Sequence, residues 1–232
     1  MGYHLSYFDD TYGSGAVADE PLAAAHRIFY VFDGEAVIEG RTVETGGAIY
    51  ASGAADIRGG SQGARVFRWD LSAFPPAAGE DAPSIPRMTQ PIWSLETEPG
   101  SRWLFRLDRI DNAPGIVADV HTHPGRGIRA LLAGTFHVRQ PSEDGAAARP
   151  GDPWWESGVE AVISTPSAVE TSSFLRCMPL PTQFAGRSDT ARWLRQKRMV
   201  RAGLAALCGR DRNSLKNASG RALSDPGTGS AQ

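Results

Sequence analysis

The sequence predicts an all-β protein that contains two copies of one domain. Short runs in which apolar and polar residues alternate are separated by glycines at the spacing of strands and turns, a pattern typical of β structure. The block 46–53 aligns without a gap with the block 151–158, and both begin with glycine and end with Ser-Gly. An apolar run precedes and follows each block: residues 29–34 and 65–69 in the first copy, and residues 129–134 and 173–177 in the second. A repeat of roughly 100 residues is too long for a solenoid, so we interpret it as a duplicated domain.

The first copy is predicted to span residues 1–73 as a series of short strands. Tyr3, Leu5, Tyr7 and Phe8 stand at near-alternating spacing and predict an edge strand near the N-terminus. Further strands are predicted over residues 27–32, 35–39, 48–51, 55–58 and 65–71. Dipeptides typical of turns separate them, namely Asp33-Gly34, Glu39-Gly40, Gly46-Gly47 and Gly59-Gly60. Residues 74–90 begin with a proline-rich run that is unsuited to a strand, and they are predicted to link the two copies.

The second copy is predicted to span residues 91–186, and residues 187–232 are predicted to follow it as a basic tail. Alternating runs at residues 93–95 and 101–107 open the second copy, and residues 140–149 form its longest loop. In the tail, Ser188 or Asp189 could cap a helix that ends at Gly209. Its apolar stripe consists of Trp193, Leu194, Val200, Leu204 and Leu207. Residues 210–232 are rich in small and polar side chains and are predicted to be disordered.

Composition excludes several classes of protein. The 41 % apolar and 22 % charged residues are ordinary for a globular protein, and 26 glycines and 16 prolines suit a fold with many turns. No apolar run approaches the length of a membrane span, and the N-terminus lacks the basic-then-apolar pattern of a secretory signal. The two cysteines, Cys177 and Cys208, do not form a disulfide framework. We therefore expect a cytoplasmic protein without membrane contact.

The charge is distributed unevenly along the chain. The net charge is −2, but residues 187–232 contain ten basic and three acidic side chains, so the rest of the chain is strongly acidic. A basic extension on an acidic body is compatible with nucleic-acid binding. No helix-turn-helix pattern accompanies it, so a solvated tail that rests on the acidic body is the preferred interpretation and a nucleic-acid partner is disfavoured.

The spacing around His121-Thr122-His123 resembles the first motif of the cupin family. That motif consists of a glycine, five residues, His-x-His, three or four residues, a glutamate, six residues and a glycine. Here Gly115 is followed by five residues, then by His121 and His123, then by three residues to Gly127 and six to Gly134. Every spacing matches, but Gly127 occupies the position of the glutamate.

The second cupin motif and the first copy match the family less completely. Gly151-Asp152 and Ser157-Gly158 match the turns that frame the second motif, but its final histidine is absent. In the first copy, Arg27 stands seven residues before Gly34, in the glutamate position, and no His-x-His precedes it. The resemblance covers about residues 25–180. It implies a bicupin, with two double-stranded β-helix (jelly-roll) barrels, and the homodimer common in the family.

The two histidines are the predicted half of a metal site. On a strand, side chains at i and i+2 point to one face, so His121 and His123 can both address one barrel interior. Imidazole suits Fe, Mn, Ni, Cu or Zn, and a catalytic metal usually takes three protein ligands. Glu156, two residues before the turn glycine Gly158, is the predicted third ligand. The alternative is a metal-free polar pocket, or core histidines hydrogen-bonded to the backbone.

Three further residues are candidates for substrate binding. Arg129 lies two residues after the vacant glutamate position and shares its inward face. A buried arginine requires an anion, which could be Glu156 or a substrate carboxylate or phosphate. Arg126 could assist at the mouth of the barrel. Trp154 shares a face with Glu156 and could line the cavity or pack in the core.

Two functions are compatible with these residues. The preferred hypothesis is a metal-dependent enzyme of the dioxygenase or isomerase type, which acts in the C-terminal barrel on an anionic or carbonyl-bearing small molecule. The alternative is a non-catalytic bicupin without metal, which senses a ligand or serves a structural role. Metal content distinguishes these hypotheses.

Overall fold

The computed structural model confirms that the protein is all-β. It describes residues 2–18, 20–77, 84–92, 102–116, 120–141, 145, 147–187, 199–201 and 205–208. Within these ranges the only helical element is a single 3₁₀ turn, Thr182–Phe184. No helix in the described part of the chain has the length and hydrophobicity that crossing a membrane requires.

The first half of the chain forms one six-stranded sheet. Its strands are β1 (Tyr3–Tyr12), β2 (Leu22–Ile38), β3 (Arg41–Glu44), β4 (Ala48–Ala55), β5 (Ile57–Ser72) and β6 (Met88–Ile92). The strand order is β3-β2-β5-β1-β6, and β4 also pairs with β2. All of these pairs are antiparallel. Part of the predicted linker thus becomes β6, which lies at the sheet edge, where the missing N–H of Pro91 is tolerated.

The second half repeats this pairing order. Its strands are β7 (Trp103–Asn112), β8 (Gly127–Ala133), β9 (Phe136–Arg139), β10 (Ala147–Ala148), β11 (Pro153–Glu156), β12 (Ile163–Pro166), β13 (Ser172–Pro181), β14 (Met199–Arg201) and β15 (Ala205–Cys208). The large sheet has the order β11-β8-β13-β7-β14, with β15 also on β7, and a small sheet has the order β10-β9-β12. Strands β11, β8, β13 and β7 therefore take the places of β4, β2, β5 and β1. The division into two barrels at the predicted boundaries stays a prediction.

Two predicted turns are wrong because the strands continue through them. Asp33-Gly34 lies inside β2, where the register with β5 shifts on either side of it. Gly34 has a φ of +79° and lies so close to the carbonyl oxygen of Gly63 that a side chain would collide with it. Gly59-Gly60 likewise lies inside β5. Glycine permits a β-bulge as readily as a turn, so one long bent strand replaces two short ones.

The described part of the C-terminal tail is extended, which corrects the predicted helix at those residues. Strand β14 pairs with Ile110 through Val200, and β15 pairs with Leu104 through Leu207. The outer edge of β7 offers unpaired backbone groups, and a following segment that pairs with it satisfies them. The remainder of the predicted helix and residues 210–232 lie outside the described residues.

The two large sheets pack face to face, so each central strand has two different buried sides. Residues of β5 such as Phe67 and Trp69 belong to the same buried core as Leu175 and Cys177 of β13, so this core is shared by both halves. Successive side chains on a strand point to opposite faces. The alternate residues of β5, such as Val66, therefore point into an interior formed by the first half alone. We call this the first interior and its counterpart behind β13 the second interior.

The side chain of Tyr7 joins the two halves through a buried hydrogen bond. Its hydroxyl donates to the carbonyl oxygen of Gly151 at 3.2 Å. The same oxygen accepts a hydrogen bond from Nη1 of Arg87 at 2.9 Å. Burial, together with the nearby carboxylate of Asp9, raises the pKa of Tyr7 well above its usual range. The folded protein thus keeps this phenol neutral.

We expect the Tyr7→Phe substitution to change the alkaline stability of the protein. At neutral pH the variant should lose about 1 kcal/mol, the usual contribution of one hydrogen bond. Because the folded pKa is raised, the contribution of Tyr7 is fully present below the unfolded pKa of about 10 and is lost as pH rises beyond it. Urea unfolding at neutral pH and above pH 10 should show the wild-type advantage shrinking. An advantage that is independent of pH would contradict this assignment.

Candidate functional site

The two predicted histidines lie together at one end of the second interior. The N–H of Val162 donates to the carbonyl oxygen of His121 at 2.7 Å, and the N–H of His123 donates to that of Gly158 at 2.9 Å. These backbone hydrogen bonds fix the His-x-His segment against the chain that leads into β12. The imidazole rings of His121 and His123 are nearly perpendicular, with centroids 4.8 Å apart.

Both rings line one small cavity. Its volume is about 10 Å³, which is room for about one water molecule. The lining consists of His121, His123, Arg129, Phe136, Glu156, Val162, Ser164, Phe174 and Arg176. The structure thus brings His121, His123, Glu156 and Arg129 together, but it leaves no space between them for a substrate.

Glu156 is the centre of this cluster and is 4 % exposed. Its Oε1 accepts a hydrogen bond from the indole N–H of Trp154 at 2.9 Å. Its Oε2 lies 2.8 Å from Nη2 of Arg129 and 2.9 Å from Nε2 of His123. Burial alone would raise the pKa of Glu156, but Arg129, His123 and Trp154 outweigh it and hold the pKa well below its usual range. Glu156 is therefore a carboxylate at every physiological pH.

Arg129 supplies the positive charge that balances Glu156. It is completely buried, and its Nη1 also donates to the carbonyl oxygen of Gly127 at 2.6 Å. His123 does not share this role, because burial is the main influence on its pKa and lowers it, so the ring is neutral at neutral pH. Of the two anions that the sequence left open for Arg129, the structure provides Glu156.

A second buried ion-pair network lies beside the first and was missed by sequence analysis. Asp108 is 1 % exposed and accepts from Nε of Arg106 at 2.8 Å. Its other oxygen accepts from Nε of Arg176 at 3.1 Å. Arg176 stands opposite both Asp108 and Arg129 in the sheet. The missed signal was the pattern Arg-x-Asp, which places both charges on one face of a strand.

These residues, as arranged, do not fit a divalent metal. The three predicted ligands line one cavity, but the carboxylate of Glu156 is already paired with Arg129. A second guanidinium, that of Arg176, lines the same cavity and would repel an added cation. Within the described ranges, no three His, Cys, Asp or Glu side chains form a group that could hold a metal ion. The ligand role of His121, His123 and Glu156 stays a prediction.

Trp154 and Arg126 have different surroundings. Trp154 stacks on Phe136 with ring centroids 5.6 Å apart and contacts Phe174 at 5.2 Å, in addition to its hydrogen bond to Glu156. It therefore holds the carboxylate through this hydrogen bond and does not line the small cavity of the second interior, but it does line a separate cavity of about 450 Å³. Arg126 is half-buried in the loop before β8 and does not line the cavity either. A role of either residue in substrate binding stays a prediction.

The first interior also contains a network of arginines and carboxylates. Arg27, in the glutamate position, is 1 % exposed and pairs with Asp70 through Nε at 3.1 Å and Nη2 at 3.2 Å. Arg68 pairs with Asp70 as well, and its Nε donates to Asp10 at 2.8 Å. Burial alone would lower the pKa of Arg68, but Asp70 and Asp10 outweigh it and raise the pKa. Guanidinium groups thus occupy both interiors.

Comparison with known proteins identifies the fold. No protein-family model matches the sequence, and no curated protein has a significantly similar sequence. Oxalate decarboxylase from Lactobacillus farciminis, solved as a formate complex, superposes with a TM-score of 0.55 and 13 % identity over 77 % of this chain and 78 % of that one. Oxalate decarboxylase from Bacillus subtilis gives 0.54 and 14 % identity over 77 % and 68 % of the two chains. At such low identity the likeness shows the fold alone, which is that of the cupins.

Proposed function

We propose that this cupin-fold protein is a bicupin that binds a small molecule without a metal and is not an enzyme. The observation that carries the proposal is the ion pair between Arg129 and Glu156 in the second interior, at 2.8 Å with both side chains almost completely buried. The guanidinium of Arg129 occupies the side of the Glu156 carboxylate that a metal would otherwise bind. The protein thereby neutralises the charge of Glu156 with its own side chain.

The charges of the second interior are complete without an added cation. Glu156 is balanced by Arg129, and Asp108 is paired with Arg106 and Arg176. A metal that captured Glu156 would leave Arg129 buried without its anion, and such a loss costs about 3–5 kcal/mol. These considerations support a metal-free state.

The small volume of the cavity in the second interior supports a non-catalytic role for that cavity. About 10 Å³ admits one water-sized molecule, whereas small-molecule sites usually enclose about 300–1,000 Å³. A ligand larger than water would have to disrupt the Arg129–Glu156 pair to enter. We therefore assign this cluster to stabilising the second half, and the ligand would bind at a different site.

A second candidate function is the metal-dependent enzyme of the preferred hypothesis. The observation in its favour is that Glu156, although distant in sequence from His121 and His123, lines a single cavity with them. The oxalate decarboxylases that share the fold are enzymes by name, but at 13–14 % identity their activity is not evidence for this chain. Metal analysis separates the two candidates.

We expect protein purified without chelator to contain far less than one divalent metal per chain. Incubation with excess Mn²⁺, Ni²⁺ or Zn²⁺ followed by gel filtration should leave the content low, as measured by inductively coupled plasma mass spectrometry. The melting temperature should not change with EDTA, because no metal contributes to folding. The matched control is the double variant His121→Ala/His123→Ala, which should give the same content. One metal per chain in the wild type and none in this variant would overturn the proposal.

A further inference from the structure

A much larger cavity, which we call the first cavity, opens at the end of the first interior. Its volume is about 330 Å³, within the range usual for small-molecule sites. It lies between the beginning of β2, the end of β5 and the segment that follows, with Ser6 and Phe8 of β1 behind it. The charged residues at its inner end are Arg27, Arg68 and Asp70.

The walls of this first cavity are mostly apolar and the side chains on them are small. Leu22 and the alanines at 23–25 line one side, and Phe74 with two prolines lines the other. Phe74 is 76 % exposed, so an aromatic ring stands at the entrance with most of its surface in water. A molecule with an apolar body would cover this ring and gain the free energy of burying apolar surface.

The charged floor of the first cavity carries no excess charge. Two guanidiniums, of Arg27 and Arg68, are matched by the carboxylates of Asp70 and Asp10. Nη2 of Arg68 also donates a hydrogen bond to the hydroxyl oxygen of Ser84 at 2.7 Å. An anionic ligand would add an unbalanced charge to a mostly apolar space, which is unfavourable. An uncharged ligand has no such penalty.

Asp70, on the floor of the first cavity, has an unused acceptor position. Its Oδ1 accepts from Nε of Arg27, and its Oδ2 accepts from Nη2 of Arg27 and from Nη1 of Arg68. A carboxylate has about four acceptor positions, so one position remains. The Asp70 side chain is 12 % exposed and lines the first cavity, so a donor on a ligand can reach it.

We propose that the first cavity binds an uncharged, mostly apolar molecule of aromatic size with one hydroxyl or N–H group that donates to Asp70. This inference rests on the proposed function, because it identifies the ligand class of a metal-free cupin. It also places the ligand in the half that lacks His-x-His. The second half then stabilises the folded chain through its ion pairs and through the core that both halves share.

The test uses two probes that share one ring system. 2-Naphthol is uncharged at neutral pH and carries a hydroxyl, whereas 2-naphthoate has a carboxylate in its place. Isothermal titration of the full-length protein should show binding of 2-naphthol in the micromolar range and binding of 2-naphthoate at least about tenfold weaker, as expected when a charge enters an apolar site. Equal or tighter binding of 2-naphthoate, or no binding of 2-naphthol, would overturn the inference.

The location is tested with one variant and one control. Phe74→Ala should weaken 2-naphthol binding about tenfold, the equivalent of losing one well-placed aromatic contact. The fold should be unaffected, because the ring is largely exposed. Val169→Ala, which truncates a side chain that is 89 % exposed in the second half, should bind as the wild type does. Unchanged binding by Phe74→Ala would place the probe elsewhere and refute the site.

The two proposals fail in different ways. Stoichiometric metal at His121 and His123, together with 2-naphthol binding at the first cavity, would overturn the metal-free function and leave the ligand site standing. Protein free of metal that does not bind 2-naphthol would overturn the ligand site and leave the metal-free state standing.

Discussion

Replacing Asp108 with asparagine should lower the free energy of unfolding by about 3–5 kcal/mol, the usual effect of removing one partner from a buried ion pair. Asp108 is 1 % exposed and contacts both Arg106 and Arg176, whose side chains are 10 % and 3 % exposed. The variant would leave two buried guanidiniums without their carboxylate. Since a domain is stable by about 5–15 kcal/mol in total, this loss should be visible as a large drop in the denaturation midpoint.

The same strand contains a matched control for this substitution. Arg109 donates to Asp111 through Nε at 2.9 Å, with the same spacing and nearly the same geometry as Arg106 and Asp108. The side chains of this second pair are 40 % and 30 % exposed. Asp111→Asn should therefore cost less than about 1 kcal/mol. Guanidinium chloride unfolding followed by tryptophan fluorescence compares the two variants. Similar losses in both would mean that burial is not what makes Asp108 important.

The fold was predictable where it depends on local pattern. Alternating runs and the ungapped match of residues 46–53 with 151–158 predicted an all-β duplicated chain, and the sheets repeat one strand order. The errors arose where a local signal has two structural outcomes. Gly34 marks a bulge within β2 rather than a turn, because the backbone of Gly63 packs directly against it. That contact joins residues far apart in sequence and leaves no local signature.

The C-terminal tail is a second segment whose local sequence pattern is compatible with two structures. Residues 199–201 and 205–208 are extended because the edge of β7 is available to them. The apolar residues of that segment satisfy a helical stripe as well as a strand, so periodicity alone favours the wrong element. Tertiary pairing decides between them, and the sequence of the segment does not contain that information.

The site was predictable as a set of inward-facing positions and not as a set of interactions. His121, His123 and Arg129 all line one cavity, but the two histidines lie outside the strands, with His121 in an isolated bridge to Val162. The partner of Arg129 depends on the register of β8 with β11, in which Trp154 stands opposite Arg129 and Glu156 opposite Gly127. A side chain at position 127 would collide with the carbonyl oxygen of Cys177 and with Met178, and would crowd the guanidinium of Arg129, so this backbone position suits glycine.

Replacing Glu156 with glutamine is expected to be the other severe substitution, again with a loss of about 3–5 kcal/mol. The variant would leave Arg129, which is fully buried, without its anion. Because the folded pKa of Glu156 is lowered, its stabilisation is present above the unfolded pKa of about 4.3 and is lost as pH falls below it. The difference between wild type and variant should therefore narrow in acid.

A double-mutant cycle separates the ion pair from the packing around it. Arg129→Met alone strands a buried carboxylate and should be as damaging as Glu156→Gln, whereas the double variant contains neither charge and should lose less than the sum of the two. Glu170→Gln, at an exposed side chain that accepts from Thr135, is the control and should change stability by less than about 0.5 kcal/mol. Denaturant midpoints for the four proteins of the cycle measure the coupling. Additive losses would mean that Arg129 and Glu156 stabilise the protein independently, and would contradict the proposal that the arginine takes the place of a metal.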